Sequence, residues 1–156
     1  ALELRKGETD QRGVALMVAS NQQAICLELF DSPQPLRCCY QKGLAQPLLH
    51  GASAKALLAH LEDARREELY LAQEMSGERI AALEAELRRI RDQGYAVSQG
   101  EIDEGVWGIS VPLLDSRRRL HGALSLMAPA LRAQARSERL RQWTLDAAAR
   151  LSARLD

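Results

Sequence analysis

A chain of 156 residues, 46% hydrophobic and 27% charged, has the size and composition of a single globular domain with a real core. Its 21 Lys and Arg balance 21 Asp and Glu, which argues against a nucleic-acid-binding module standing alone, because such modules carry a basic excess. No apolar run approaches the ~20 residues of a membrane helix, and no signal peptide precedes the first strand-like segment.

The expectation is therefore a segment of a longer cytosolic protein, beginning at Ala1. Cys26, Cys38 and Cys39 are odd in number, and no C-x-x-C spacing occurs. They read as small apolar side chains in a reducing compartment, not as a disulfide framework or a zinc site. His50, His60 and His121 are scattered singly, so no metal or other cofactor is expected.

In chain order, Gly13 to Ser20 and Gln23 to Phe30 are short apolar runs separated by Asn21 and Gln22, the pattern of a tight hairpin. The turn signal DSPQP then introduces Leu36 to Gln41 as a third strand. From Ala52 to Gln73 the composition shifts to Ala, Leu, Glu and Arg, with a break near Glu62 and Asp63 that splits the stretch into two helices. Ser76 reads as the N-cap of a further helix, whose stripe is Ile80, Leu83, Leu87 and Ile90 and whose stop is Gly94. Tyr95 to Gln99, Gly105 to Leu114 and Leu120 to Ala128 read as strands, the last two joined by DSRRR. A final helix is predicted over about Arg136 to Leu155. The predicted class is α+β: a two-layer, mostly antiparallel, six-stranded sheet with helices packed on it.

Alternation sorts the late strands into faces. Trp107, Ile109, Val111, Leu113, Leu124 and Leu126 make one face bulky, whereas Gly108, Ser110, Ala123 and Ser125 thin the other, which also carries Pro112 and Met127. Two readings fit a thinned face: one wall of a ligand pocket, or a surface against which a helix packs closely. A second feature bears on the choice. His50, Gly51, Ala52 and Ser53 stand where a loop becomes a helix, and unobstructed N–H groups there suit an anion or carboxylate, with Ser53 as a further donor and Lys55 nearby. The alternative is an ordinary helix cap.

No catalytic arrangement is evident. Glu101, Asp103 and Glu104 read as a solvated acidic turn, and Arg117, Arg118 and Arg119 as a solvated hairpin turn. Ser110 or Ser125 with His121 lacks a G-x-S-x-G elbow and an orienting acid. An enzyme is not expected.

The residues resemble the C-terminal effector-binding domain of the IclR family of bacterial transcription regulators. The family signature maps onto Gly94, Ser98, Glu101, Gly108, Ile109, Ser110, Leu113, Leu114 and Asp115. Gly108 departs from the usual Cys, Ser or Ala, and Leu114 from the usual aromatic or His. PLLHGASAKALLA and GALSLMAP also resemble family segments, so the similarity spans nearly the whole chain.

The resemblance implies a GAF-like fold and a small organic or aromatic acid as effector. By position it implies effector contacts at Ala52, Ser53, Ser98, Gly108, Ser125 and Met127, with Ser110 beside them on the thinned face. Relatives that sense small oxyacids place an acid, a thiol and a hydroxyl where this chain has Ser98, Gly108 and Met127, which implies a larger, less polar effector here. It further implies a homodimer or tetramer, and DNA binding only through a winged helix-turn-helix that would precede residues 1–10, the expected end of a connecting helix. The alternative is a GAF-like sensory or structural oligomerisation module without a natural ligand.

Overall fold

The computed structural model describes residues 13–20, 22–31, 45–100 and 105–156. The strand expected at 36–41 with Cys38 and Cys39, the acidic turn at Glu101 to Glu104, and the connecting segment at the start all lie outside these residues. Among the described residues ten elements follow one another: β1 (Gly13–Ser20), β2 (Gln23–Asp31), β3 (Ala45–Pro47), α1 (Ala52–Ala59), α2 (Asp63–Ala72), α3 (Gly77–Gln93), β4 (Ala96–Gln99), β5 (Val106–Leu114), β6 (Leu120–Pro129) and α4 (Ala130–Ser152). The strands form one sheet in the order β3-β2-β1-β6-β5-β4, and every described pair is antiparallel. The third strand among the described residues is the three-residue β3, in a stretch to which the sequence pattern assigned no element.

The helix signals act where local chemistry puts them. Ser76 Oγ accepts from the Arg79 N–H at 3.2 Å, satisfying a donor that a helix start leaves without a partner. Gly94 ends α3 at φ 89°, its N–H donating to Ile90 O at 2.8 Å, a left-handed conformation that glycine takes without steric cost. α4 starts six residues before the predicted Arg136. Ala130 to Ala135 carry good helix formers but no apolar stripe, so periodicity alone passes over them. Pro129, at φ −57°, turns β6 directly into the helix.

The sheet is covered on both faces, so the two-layer expectation gives way to three layers. On the bulky face, Trp107, Ile109, Val111, Leu113, Leu124 and Leu126 pack with Leu140, Ala147 and Ala148 of α4. The thinned face holds Met17, Cys26, Ala96, Ala123 and Met127 against α1, with Leu87 and Ile90 of α3 behind. The alternation of side chains forces this division. Each face is apolar enough to need a cover.

α1 lies inside this second core, and all eight of its residues are buried. Six of those eight are Ala or Leu, and a helix with so little polar surface belongs in an interior, not on a surface. Polar side chains tie the helices beside it. Lys55 Nζ donates to Glu86 Oε1 at 2.9 Å. Arg66 Nε donates to Glu84 Oε1 at 3.0 Å, and Tyr70 Oη to the same oxygen at 2.8 Å. Pro112 interrupts β5 where β4 has already ended opposite Ser110, so the missing N–H falls in a stretch paired only with β6.

Candidate functional site

The thinned face and the α1 start meet. β4 and β5 place Ser98 opposite Gly108, and β5 and β6 place Gly108 opposite Met127 and Ser110 opposite Ser125. A Cβ added at Gly108 would lie 3.4 Å from Ser98 Oγ and 4.0 Å from Ala52 Cβ. The glycine therefore leaves about a methyl group of room between the helix start and β4. Gly51 precedes the helix at φ 89° and ψ 162° with no side-chain cap, a conformation essentially open to glycine alone. The seven residues singled out from sequence, Ala52, Ser53, Ser98, Gly108, Ser110, Ser125 and Met127, form one neighbourhood.

Both readings of the thinned face have a structural counterpart. α1 does pack closely on it. Ser53 Oγ and Ser125 Oγ are 2.7 Å apart, and Ser125 Oγ donates to Ser110 Oγ at 2.8 Å. All three serines are at most 1% exposed. Because Ser125 uses its only proton on Ser110, Ser53 must donate to Ser125. The Ser53 hydroxyl is thus turned into the sheet and is not the spare donor expected from sequence. The donors left at the α1 start are backbone N–H groups, of which Lys55 N–H is the first bonded back, to Gly51 O at 3.1 Å. Lys55 itself belongs to the helix layer through Glu86.

Ser110 and Ser125 do not meet His121. Their hydroxyls bond each other and Ser53, while His121 Nε2 is 2.9 Å from Asp115 Oδ2. Among the described residues, no group of three His, Cys, Asp or Glu side chains could hold a metal ion, and no helix is long and apolar enough to cross a membrane.

Sequence reasoning missed a second constellation at the far end of α1. The turn between β5 and β6 wraps around Asp115, whose side chain is 1% exposed. Its carboxylate accepts from the Arg117 and Arg119 N–H groups, each at 2.9 Å, from Arg119 Nε at 2.8 Å, and from His121. The His121 contact first, then the Arg119 backbone, holds this carboxyl far below the ordinary range. Arg118 occupies the left-handed position of the turn at φ 62°, where glycine is the default. Beside the turn His60 caps the end of α1. Burial first, then Arg118 and Arg91, pushes its pKa down to about 4. The only advance signal was the DSRRR run, read there as solvated.

Domains with this fold occur in bacterial proteins described as "putative transcriptional regulator". The chain superposes on the C-terminal domain of a Vibrio cholerae transcriptional regulator with a TM-score of 0.83 and 39% identity, covering 90% of this chain and 85% of that one. It superposes on an IclR-family regulator from Rhodococcus sp. with a TM-score of 0.82 and 26% identity, covering 92% of this chain and 56% of that one.

The chain belongs to the IclR family: the model of the bacterial transcriptional regulator IclR C-terminal domain matches residues 3–153. "Probable transcriptional regulator SauR" of Cupriavidus necator is 30% identical over 123 residues, 75% of this chain and 49% of that protein. "Probable HTH-type transcriptional regulator ArcR" of Halobacterium salinarum is 28% identical over 137 residues, 81% of this chain and 48% of that protein. The chain spans about half the length of these curated relatives. Both carry names of probable transcriptional regulators.

Proposed function

We propose that this C-terminal domain senses a small organic or aromatic acid at the start of α1. The effector's carboxylate faces the backbone N–H groups of Ala52 and Ser53, and its body lies along Ser98, Gly108 and Met127. The observation that carries the reading is the convergence of these residues around the gap left by Gly108, in a chain of this family. Ser110 and Ser125 act one step back, fixing Ser53 and with it the first turn of α1. Met127 supplies a polarisable thioether, and Gly108 leaves about a methyl group of room beside the effector. Full-length function follows from the same reading: a cytoplasmic regulator that assembles with itself and reads DNA through a preceding winged helix-turn-helix. The effector acts by favouring one assembled state over another.

The test is a thermal-shift screen of this chain against small aliphatic and aromatic carboxylates, repeated with Gly108→Ala. A ligand at 100 times its Kd adds about 2.7 kcal/mol of stability. A hit among aromatic acids that weakens in Gly108→Ala supports the site. Tight binding of glyoxylate or pyruvate, with no response to aromatic acids, would show the cavity to be of the small-oxyacid kind. Silence from every acid would leave assembly as the role of the domain.

A further inference from the structure

At the opposite end of α1 from the candidate effector site, a cleft of about 450 Å³ opens between the α1–α2 junction, β1 and the β5–β6 turn. An eight-residue helix puts the two ends about 12 Å apart, so the cleft is not part of the first site. Its polar lining is almost all cationic or imidazole: His60, Arg65, Arg118, Arg119 and His121, with Glu62 as the one carboxylate in the wall. Asp115 lies beneath the turn and is bound to Arg119 and His121. Arg91, which donates to Ala59 O at 2.9 Å, adds its charge near His60.

Two observations go beyond a cluster of basic side chains. His60 Nε2 is buried without a hydrogen-bond partner, a costly condition that an incoming oxygen atom would relieve. Arg118 holds the left-handed backbone position of the turn at φ 62°, a strained choice for a non-glycine residue, and strain of this kind collects at binding sites. The turn geometry would be met more easily by glycine, yet the residue there brings a guanidinium to the cleft.

We propose that this cleft is a second ligand site, taking a small polyanion, phosphorylated or multiply carboxylated, between Arg65, Arg118 and Arg119 with His60 Nε2 as its buried donor. The guanidiniums supply charge-assisted forks matched to phosphate or carboxylate oxygens. Burial first, and then the charges of Arg118 and Arg91, lower the pKa of His60; an anion in the cleft counteracts those charges, so binding and protonation of His60 favour each other.

The experiment follows the His60 ring resonances of this chain by NMR across a pH titration, alone and with inorganic phosphate or citrate. Sodium chloride at matched ionic strength serves as the control. Phosphate or citrate is expected to shift the His60 signals and move its midpoint up from about 4, and chloride is not. The stronger of the two anions identifies the headgroup chemistry. Arg118→Gly, which relieves the backbone strain and so stays folded, is expected to weaken the anion about tenfold or more, as loss of one charge-assisted contact implies. Arg65→Gln should weaken it as well. Gly108→Ala, at the other end of α1, should leave this titration unchanged, which separates failure of this site from failure of the effector site. His60 signals indifferent to both anions, or equal binding by Arg118→Gly and the parent chain, would overturn the proposal.

Discussion

Asp115 and His60 lie close together in the fold and respond to pH for opposite electrostatic reasons. Asp115 is stabilised as a carboxylate, so its folded pKa lies below its ordinary 3.8. Its contribution to stability is fully present above that value and is lost as the pH falls below it. His60 is held neutral, with a folded pKa of about 4 against 6.5 when unfolded. Between those values the unfolded chain binds the extra proton, so stability falls as the pH drops from about 6.5 to about 4. His60→Gln is therefore expected to flatten the dependence of Tm on pH across that window and to leave the steeper loss at lower pH, which belongs to Asp115. Equal slopes for the two proteins would refute the assignment. Arg118→Gly, by releasing a left-handed non-glycine residue, is expected to raise stability by about 1 kcal/mol at neutral pH, read from urea denaturation.

Among the elements, β1 and β6 approach each other closely at Gly122. A Cβ at Gly122 would lie 2.6 Å from Met17 O, a backbone atom that cannot move aside without opening the β1–β6 ladder. Gly122→Ala is expected to cost about 1–3 kcal/mol, measured as a lower denaturation midpoint at unchanged m-value. Gly108→Ala is the contrasting case, because its added Cβ meets only ordinary contacts. That substitution should be neutral or stabilising by up to about 1 kcal/mol while narrowing the candidate site. At α3, Ser76→Ala removes the only side-chain cap of that helix start and is expected to cost about 1 kcal/mol. Leu57 and Leu58, both 0% exposed in α1, should cost about 2–5 kcal/mol each on truncation to Ala.

For the whole molecule, α1 is the shared part. Buried on all sides, it offers its start to the candidate effector site and its end to the cationic cleft, and it touches β1, β2, β4, β5, β6 and α3. Much of this was legible beforehand. The caps at Ser76 and Gly94, the break before Asp63 and the opposed faces of β5 and β6 all depend on neighbours within a few positions, where propensity and periodicity act. The family motifs, carried on contiguous stretches, were readable for the same reason.

What the amino-acid sequence determined by itself was the α+β class, the element order and which residues share a face. What tertiary structure decided was who meets whom. Ser53 and Ser125 bond across 72 positions, which turned an expected ligand donor into an internal strut. The second cover on the sheet came from α4, a helix legible in the sequence while its destination was not. The DSRRR run looked solvated because nothing local connects it to His60. Only the return of β6 alongside β1 brings that turn over the end of α1, and the physical reason is general: caps and periods are short-range, whereas burial and electrostatic fields depend on every segment the fold brings near.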